Sequence, residues 1–257
     1  MKIYFAEISD FQIWPYAKAG AKRFLVSYFY QLKNDVISGI YKLVPDAEIF
    51  LDSGAYSAFT LNEKINLDEY IEFCKANKDR VAHIASLDDI KDAEKTKQNY
   101  DKMTKAGLKV IPTYHIYEPY SYLDYYIKKS DYIAIGGLAI KTMVKKKRRR
   151  INAIMDVLDR IPKNKKIHLF GTTDIGILYR VNDRVTSVDS TTSDRRSVYN
   201  RTYSVTGMIA TIKRESKSRL SVSNVHTLWV YSIYKWLQAE RELNAFKELK
   251  ELKCQTK

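Results

Sequence analysis

Cysteine is nearly absent from this sequence of 257 residues, in which Cys74 and Cys254 are the only two. They lie far apart, and neither is part of a Cys-x-x-Cys pair. A disulfide framework or a thiolate zinc site needs a larger set of cysteines at close spacing. The sequence therefore predicts neither structural disulfide bonds nor a bound metal.

Long apolar runs and linker-like tracts are also missing. No uninterrupted apolar run approaches the roughly 20 residues of a membrane-spanning helix, and residues 1–7 lack the long apolar core of a signal peptide. No stretch rich in proline, glycine and serine divides the chain, and it contains no internal repeat. We expect a single domain in the cytoplasm, without membrane contact.

Acidic residues are too few to balance the basic ones. The chain has 44 Lys and Arg against 30 Asp and Glu, which gives a formal net charge of +14. Such an excess attracts polyanions, so nucleic acid is the first partner to consider. A generally basic, solvated surface is the alternative. The hydrophobic content of 45% favours a globular protein with one large core over a disordered chain.

Short apolar runs rich in β-branched and aromatic residues recur along the chain, separated by segments with helical periodicity. Eight runs predict strands, at residues 2–7, 24–29, 48–52, 81–88, 109–114, 132–136, 166–171 and 184–189. Eight strands that alternate with helices predict an α/β fold of the TIM type, a (β/α)8 barrel. We expect one domain over residues 1–257, with a helical C-terminal extension over about residues 195–257.

Several helices are predicted by their pattern. Asn66 and Glu69 resemble a capping box, which predicts a helix running to about residue 76. Residues 92–106 and 142–160 are long and amphipathic, and a further helical pattern covers about residues 222–252. The aromatic residues expected to pack this last helix onto the barrel are Trp229, Tyr231, Tyr234 and Trp236.

Polar residues and glycines follow the predicted strands, at the ends that a barrel directs to one rim. A single acid at such a position is most often a helix N-cap. Several on one face are typical of the catalytic end of a barrel. The set consists of Asp52, Ser53, Asp88, His115, Gly136, Gly137, Gly171 and Asp189. Within it, Asp189 at the end of the last strand is the predicted nucleophile.

The chemistry of this set suits a purine substrate. Guanine presents two adjacent donors, N1–H and the 2-amino group, and one carboxylate can accept both, for which Asp88 is the candidate. Gly136 and Gly137 have no Cβ, so their backbone groups could approach the base closely. Two further carboxylates are then available, Asp189 and Asp52. One can attack the anomeric carbon of the sugar, and the other can transfer the proton.

The motifs at these positions resemble those of the tRNA-guanine transglycosylase superfamily, including its phage and bacterial DNA-modifying branch. The similar segments are Asp-Ser-Gly-Ala-Tyr at residues 52–56, Leu-Asp-Asp at 87–89, Ile-Gly-Gly-Leu-Ala at 135–139 and His-Leu-Phe-Gly at 168–171. Residues 189–195 keep the spacing of the family's Asp-x-x-x-Pro-Thr-Arg, without its Pro-Thr pair. The order of these motifs holds over residues 48–196, more than half of the chain.

The resemblance implies a role for each residue. Asp189 would be the nucleophile toward C1′ of the target nucleoside, and Asp52 the general acid and base beside the sugar. Asp88 would read the base together with the backbone of Gly136 and Gly137. The remaining predicted substrate contacts are Ser53, His115 and Gly171.

The implied reaction expels guanine from DNA and inserts a free 7-deazaguanine, such as the cyano- or aminomethyl-substituted base, through a covalent aspartyl-glycosyl intermediate. It uses no cofactor and no ATP. The implied partners are DNA and the free base. Whether an accessory protein is also needed to separate the DNA strands is not predicted. A protein of the phage branch would act in the host cytoplasm. The sequence makes no prediction about oligomeric state.

The sequence differs from the family's motifs at positions that affect which base and which nucleic acid are expected as substrate. Ala55 replaces the second glycine of the first motif, and Tyr114 and His115 take the place of a glutamine near the fifth strand. His115 could donate to O6 or N7 of the purine, or be a rim histidine satisfied by protein groups. Members that act on tRNA carry a Cys-x-Cys-x-x-Cys zinc subdomain with a later histidine. This chain has only Cys254 and His226 beyond residue 200, which favours DNA over tRNA.

Two basic segments follow predicted strands of this rim. Residues 145–150 form an unbroken run of lysine and arginine, and Arg195 and Arg196 come shortly after the last strand. Phosphates on either side of an extruded base would need such positive charge. The predicted phosphate contacts are Arg195, Arg196, Lys145 and Arg148. For residues 145–150, the solvated face of an amphipathic helix is the alternative.

Other functions remain as alternatives at this stage. One is transglycosylation of tRNA, as in queuosine formation, and another is a barrel that binds nucleic acid without catalysis. A third is a glycosidase that acts on free sugars. The glycosidase leaves the Gly-Gly-Leu-Ala segment and the basic excess unexplained.

Overall fold

A parallel sheet forms the centre of the protein. The computed structural model describes residues 1–6, 13–31, 35–138, 147–172, 174–190, 201–203, 209–211 and 222–255. The strands of the sheet are β1 (Lys2–Phe5), β2 (Arg23–Ser27), β3 (Glu48–Asp52), β4 (His83–Ile84), β5 (Thr113–His115), β6 (Tyr132–Gly136), β7 (Lys166–Leu169) and β8 (Ser187–Ser190). All of their pairings are parallel, in the order β4-β3-β2-β1-β8-β7-β6-β5. This is the order of neighbours around a (β/α)8 barrel.

The side chains of each strand alternate between two apolar layers, as the strand period requires. Phe24 and Ile49 belong to a large outer core shared with the helices, whereas Leu25 and Phe50 belong to a smaller inner core. The inner core draws residues from strands across the whole sheet: Tyr4, Ala6, Leu25, Phe50, Ala85, Ile111 and Ala134. The sheet is therefore curled, with its inner face filled by side chains.

The two edges of the curled sheet do not form a regular ladder with each other. An isolated parallel bridge joins Ala85 to Ile111, where Ser86 N donates to Ile111 O at 2.9 Å. Pro112 has no backbone N–H and separates this bridge from β5, which limits pairing at this edge. The predicted α/β class is confirmed as a curled, eight-stranded parallel sheet with helices. The prediction of long fourth and fifth strands is wrong.

The helices lie mostly between consecutive strands. They are α1 (Ile13–Ala19), α2 (Tyr28–Gln31), α3 (Val36–Leu43), α4 (Ala55–Thr60), α5 (Leu67–Asn77), α6 (Ala93–Lys105), α7 (Tyr120–Lys129), α8 (Lys147–Arg160), α9 (Ile175–Val181) and α10 (Val222–Gln255). Asn66 caps α5 as predicted, because its Oδ1 accepts from Asp68 N at 2.9 Å. The predicted second strand was too long, since α2 begins at Tyr28. None of the helices in the described ranges has the length and apolar content that a membrane span requires.

The C-terminal extension consists of a short hairpin and a long helix. The hairpin, β9 (Arg201–Tyr203) and β10 (Ile209–Thr211), is antiparallel and was not predicted. On α10, Trp229 and Trp236 are buried, which confirms the predicted packing for these two residues. Tyr231 and Tyr234 are 43% and 48% exposed, so the prediction was wrong for them. Their helical spacing places them on the opposite face from the buried residues.

Polar contacts attach α10 to the start of the chain and of the sheet. Ile3 N donates to Glu240 Oε2 at 3.0 Å, and Arg23 forms an ion pair with the same carboxylate. Further along the helix, Asn182 Nδ2 donates to Leu243 O at 3.1 Å. The helix therefore covers the side of the sheet formed by β1 and β2.

Candidate active site

The predicted acids lie at the C-terminal ends of the strands and point inward. Phe50 belongs to the inner core, so Asp52, two residues later on β3, faces the same way. Val188 belongs to the outer core, so its neighbour Asp189 on β8 faces inward. The strand order places β1 and β2 between the two acids. Ala6, which follows β1, is a small residue of the inner core, and it leaves space between them.

The two oxygens of the Asp189 carboxylate have different surroundings. Oδ1 accepts two hydrogen bonds, from His168 Nε2 at 3.1 Å and from Gly171 N at 3.0 Å. Within the described residues, Oδ2 has no hydrogen-bond partner. The residue is 7% exposed, so only a narrow opening reaches it. Oδ2 is therefore the oxygen that is available for attack on a substrate.

A buried chain of hydrogen bonds continues from Asp189 into the interior of the sheet. His168 Nδ1 lies 2.6 Å from Ser187 Oγ, and Ser187 in turn pairs with the Tyr132 hydroxyl. The His168 ring is fully buried and contacts Phe50 and Phe170, with ring centroids 4.7 and 4.6 Å away. If Tyr132 and Ser187 donate in sequence, Nδ1 accepts and Nε2 carries the proton that is given to Asp189. The chain thus fixes the orientation of the carboxylate.

Asp52 lies in surroundings that disfavour its negative charge. Burial among protein atoms, together with the negative charges of Asp88 and Asp189, raises the pKa of Asp52 to about 7. Gly54 N donates to Asp52 Oδ2 at 3.0 Å, which offsets only part of this effect. At neutral pH the carboxyl therefore exchanges readily between its protonated and ionised forms.

Gly54 allows the tight turn between Asp52 and α4. Its φ of +80° lies in the left-handed region, which glycine adopts without strain. A Cβ at this position would lie 2.3 Å from Ser27 Oγ and 2.5 Å from Phe29 Cβ. The side chains of the β2 end consequently pack directly against the turn that carries Asp52.

His115 is held between two carboxylates. Nε2 lies 2.8 Å from Asp88 Oδ2, and Nδ1 lies 2.8 Å from Glu118 Oε1. Burial opposes the positive charge of the imidazole, but the hydrogen bonds and charges of the two acids outweigh it and raise the pKa of His115 to about 10. Both ring nitrogens are thus used by protein groups, which agrees with the rim histidine of the two sequence alternatives.

Asp88 is oriented by hydrogen bonds to His115 and to Ser53. Ser53 Oγ donates to Asp88 Oδ1 at 3.2 Å, while it also accepts from Ala55 N at 3.2 Å. Each oxygen of Asp88 therefore has one protein partner, and a carboxylate oxygen can accept a second donor. The carboxylate retains capacity for a ligand with two adjacent N–H groups.

The two consecutive glycines pack beside His115. A Cβ on Gly136 would lie 2.7 Å from His115 Cδ2, so any larger residue would displace the imidazole. Gly136 O accepts from Ile116 N at 3.2 Å. Gly137 has a φ of +80° and only ordinary contacts around its missing Cβ. The missing Cβ of Gly136 thus allows His115 to pack against it, and Gly137 allows the positive φ of the backbone turn.

The structure brings the predicted site residues into two neighbouring groups. One group contains Asp52, Ser53, Asp88, His115 and Gly136, and the other contains Gly171 and Asp189. The electrostatic effect of Asp88 and Asp189 on Asp52 connects them. Arg195, Arg196 and Lys145 lie outside the described residues, and Arg148 lies on α8 without a described side chain.

The sequence did not predict three polar residues of the candidate site, Glu118, His168 and Ser187, or one exposed aromatic residue beside it. Glu118 was not considered, although it comes three residues after His115, a spacing that allows a turn to bring them together. His168 was noted only as part of a motif, and its inward direction could have been derived from the strand period. Ser187 could have been found in the same way. Tyr56, 45% exposed, follows Asp52 on α4 and gave no distinct signal.

Neither metal coordination nor a known relative supplies a function for this site. In the described part of the chain, no group of three or more His, Cys, Asp and Glu side chains is arranged to hold a metal ion. The chain matches no family model and no curated protein sequence. The geometry of the two groups must therefore supply the functional argument.

Proposed function

We propose that this protein exchanges guanine in DNA for a free 7-deazaguanine base through a covalent intermediate on Asp189. The observation that supports it most is the contrast between two inward-facing carboxyl groups. Among the described residues, Asp189 Oδ2 has no hydrogen-bond partner, and the pKa of Asp52 is raised to about 7. A nucleophile and a proton carrier are the two groups that the exchange of an N-glycosidic bond requires.

In the first half of the proposed reaction, Asp189 Oδ2 attacks C1′ of the target nucleoside. The new C1′–O bond forms as the C1′–N9 bond breaks, and the bonding electron pair leaves with the guanine. The protonated form of Asp52, which its pKa of about 7 keeps populated at neutral pH, supplies the proton that makes the departing base neutral. The products are free guanine and a glycosyl ester of Asp189, with the sugar–phosphate backbone intact.

The second half runs through the same groups in reverse. The ionised Asp52 removes the N9 proton of the incoming 7-deazaguanine, and N9 attacks C1′. The ester bond breaks, and its electron pair returns to Asp189. His168 and Gly171 donate to the other oxygen throughout, so they stabilise the carboxylate as it leaves. Both side chains end in their starting protonation states.

Base recognition is assigned to Asp88. Guanine and 7-deazaguanines share the N1–H and 2-amino donors, and the remaining acceptor capacity of Asp88 suits this pair. Adenine lacks both donors, so its binding would leave a buried carboxylate poorly paired. The positively charged His115 holds Asp88 in place for this contact.

The test is base exchange by the purified protein. Single-stranded DNA, duplex DNA and tRNA are each incubated with radiolabelled guanine and, separately, with cyano- and aminomethyl-7-deazaguanine. We expect label to enter DNA and the 7-deazaguanines to displace guanine from it. Asp189→Asn should abolish the exchange, whereas Asp92→Asn, which alters only a helix N-cap, should not.

Three results would contradict the proposal. Exchange on tRNA alone would assign the same chemistry to RNA. No exchange on any polymer, with every base supplied and the protein folded, would refute base exchange and leave the nucleic-acid-binding and glycosidase alternatives. Unchanged exchange by Asp189→Asn would remove Asp189 from the mechanism.

A further inference from the structure

Six of the eight exposed large aromatic side chains in the described residues lie in segments that follow strands of the sheet, and the other two, Tyr231 and Tyr234, lie on α10. In the described residues that precede α10, the large aromatic side chains with exposures between 39% and 51% are Trp14, Tyr30, Tyr56, Phe59, Tyr117 and Tyr120. Each lies in a segment that follows the C-terminal end of a strand. Exposed aromatics concentrated in this way are typical of a binding surface.

Three of the exposed apolar residues and one lysine lie in the segments that follow three neighbouring strands, and we call them the aromatic rim patch: Tyr30, Phe59, Leu61 and Lys91. The short helices α2 and α4, which carry Tyr30 and Phe59, pack against each other. Lys91 Nζ lies 4.9 Å from the centre of the Phe59 ring. Leu61, 56% exposed, ends α4. The patch therefore spans the segments that follow β2, β3 and β4.

The patch is continuous with the candidate active site. Asp52 and the patch residue Phe59 are joined by the Gly54 turn and the first turns of α4. Lys91 comes three residues after Asp88, in the segment that leads into α6. A polymer bound with one nucleotide at the two acids would have its neighbouring nucleotides within reach of this surface.

Lys91 carries its positive charge close to Asp89, whose Oδ1 accepts a hydrogen bond from Lys91 N at 3.1 Å. Within the described ranges Lys91 forms no ion pair, whereas Lys95 pairs with Asp89 at 3.0 Å. An exposed cation above an exposed aromatic ring can bind a phosphate while the ring contacts a base. The net charge of +14 favours an anionic polymer as the occupant.

We propose that the aromatic rim patch binds a single-stranded segment of DNA beside the target nucleotide, with a base on Phe59 and a phosphate at Lys91. The inference rests on the proposed function and specifies the form of its substrate. In a duplex, the faces of each base are covered by its neighbours, so a side chain can stack only on an unpaired base. Asp189 is 7% exposed, and a target base also has to leave the duplex to reach it.

The test measures DNA binding in the Asp189→Asn background, where no exchange can occur. Fluorescence anisotropy gives the Kd for a labelled single-stranded oligonucleotide with one guanine, for the same sequence as a duplex, and as RNA. We expect Phe59→Ala to weaken binding of single-stranded DNA about 5- to 50-fold. Lys91→Gln should weaken it about 2- to 10-fold. Binding of the duplex should change less than twofold.

A matched pair on α10 provides the control. Lys235 Nζ lies 5.4 Å from the centre of the exposed Tyr231 ring, which reproduces the arrangement of Lys91 and Phe59. Tyr231→Ala and Lys235→Gln should leave binding of single-stranded DNA unchanged. Thermal unfolding of every variant establishes that it is folded.

Three results would overturn the assignment of the patch. They are unchanged binding by Phe59→Ala, an equal loss for duplex and single-stranded DNA, and a loss confined to RNA. The proposed function fails separately, because a chain that binds through the patch but never exchanges a base refutes only the chemistry. Normal exchange together with unchanged binding by Phe59→Ala refutes only the patch.

Discussion

Among single residues, Asp52 combines its proposed role as proton carrier with a cost in stability. Its pKa is raised from the usual value of 3.8 to about 7. Between these two pH values the unfolded chain releases the proton while the folded chain keeps it. The folded state therefore loses stability as the pH rises from 4 to 7, and the loss persists at higher pH.

This linkage predicts that Asp52→Asn is more stable than the natural protein at pH 8 by about 1–3 kcal/mol. The difference should become small at pH 4, where neither side chain carries a charge. Urea unfolding at both pH values measures it, with Asp92→Asn as a control that shows no such pH dependence. A pH-independent difference would contradict the raised pKa. The same variant should have lost base exchange.

In the proposed mechanism, His168 acts through its hydrogen bond to Asp189 and is therefore a positioning residue. His168→Leu removes the donor to Asp189 Oδ1, and we expect kcat for base exchange to fall about 10- to 100-fold. His168→Gln keeps an N–H that can point the same way, so it should recover much of this loss. Steady-state kinetics distinguishes the two variants. Equal losses at equal stability would mean that the imidazole only fills space.

The residue-level prediction succeeded where one strand was sufficient and failed where two distant segments meet. The positions of Asp52 and Asp189 at strand ends predicted that they share one rim, and the structure places both on the inner face of one sheet, with β1 and β2 between them. Such positions could not reveal that Asp88 would pair with His115, because their contact depends on how the β4 and β5 segments come together. Glu118 reaches His115 only because Tyr117 adopts a φ of +84°, which no pattern indicated.

Among the secondary-structure elements, α10 allows the clearest prediction about the free energy of unfolding. Trp236 is 1% exposed and belongs to the outer core, whereas Tyr234 lies on the solvent side of the same helix. Trp236→Ala should lower the free energy of unfolding by about 3–5 kcal/mol, and Tyr234→Ala by less than about 1 kcal/mol. Urea unfolding measures both. Similar values would show that α10 does not depend on its buried face.

The boundaries of the helices and strands show which local sequence signals were sufficient to predict an element. The Asn66 cap and the period of α5 identified that helix correctly, because both signals lie within its own residues. The β4 and β5 strands proved shorter than their apolar runs, since pairing partners and Pro112 determine where a ladder stops. The short helices α2 and α4 contain one or two turns, too few for a periodic pattern to stand out.

For the whole molecule, the curled sheet explains why the site lies where it does. Eight parallel strands bring eight chain segments to one rim, and the polar residues after them meet there regardless of their distance in sequence. The exposed aromatics of the same rim and the net charge of +14 suit an anionic, unpaired polymer. The central claim is that Asp189 forms a bond to that polymer.

The most direct test is a search for the covalent intermediate. The protein is incubated with a single-stranded oligonucleotide containing one guanine, with released guanine removed, and then digested for mass spectrometry under denaturing conditions. We predict an adduct on the peptide that contains Asp189, formed as guanine is released, and none with Asp189→Asn. An adduct on another residue, or base exchange without any adduct and with Asp189→Asn fully active, would contradict the account.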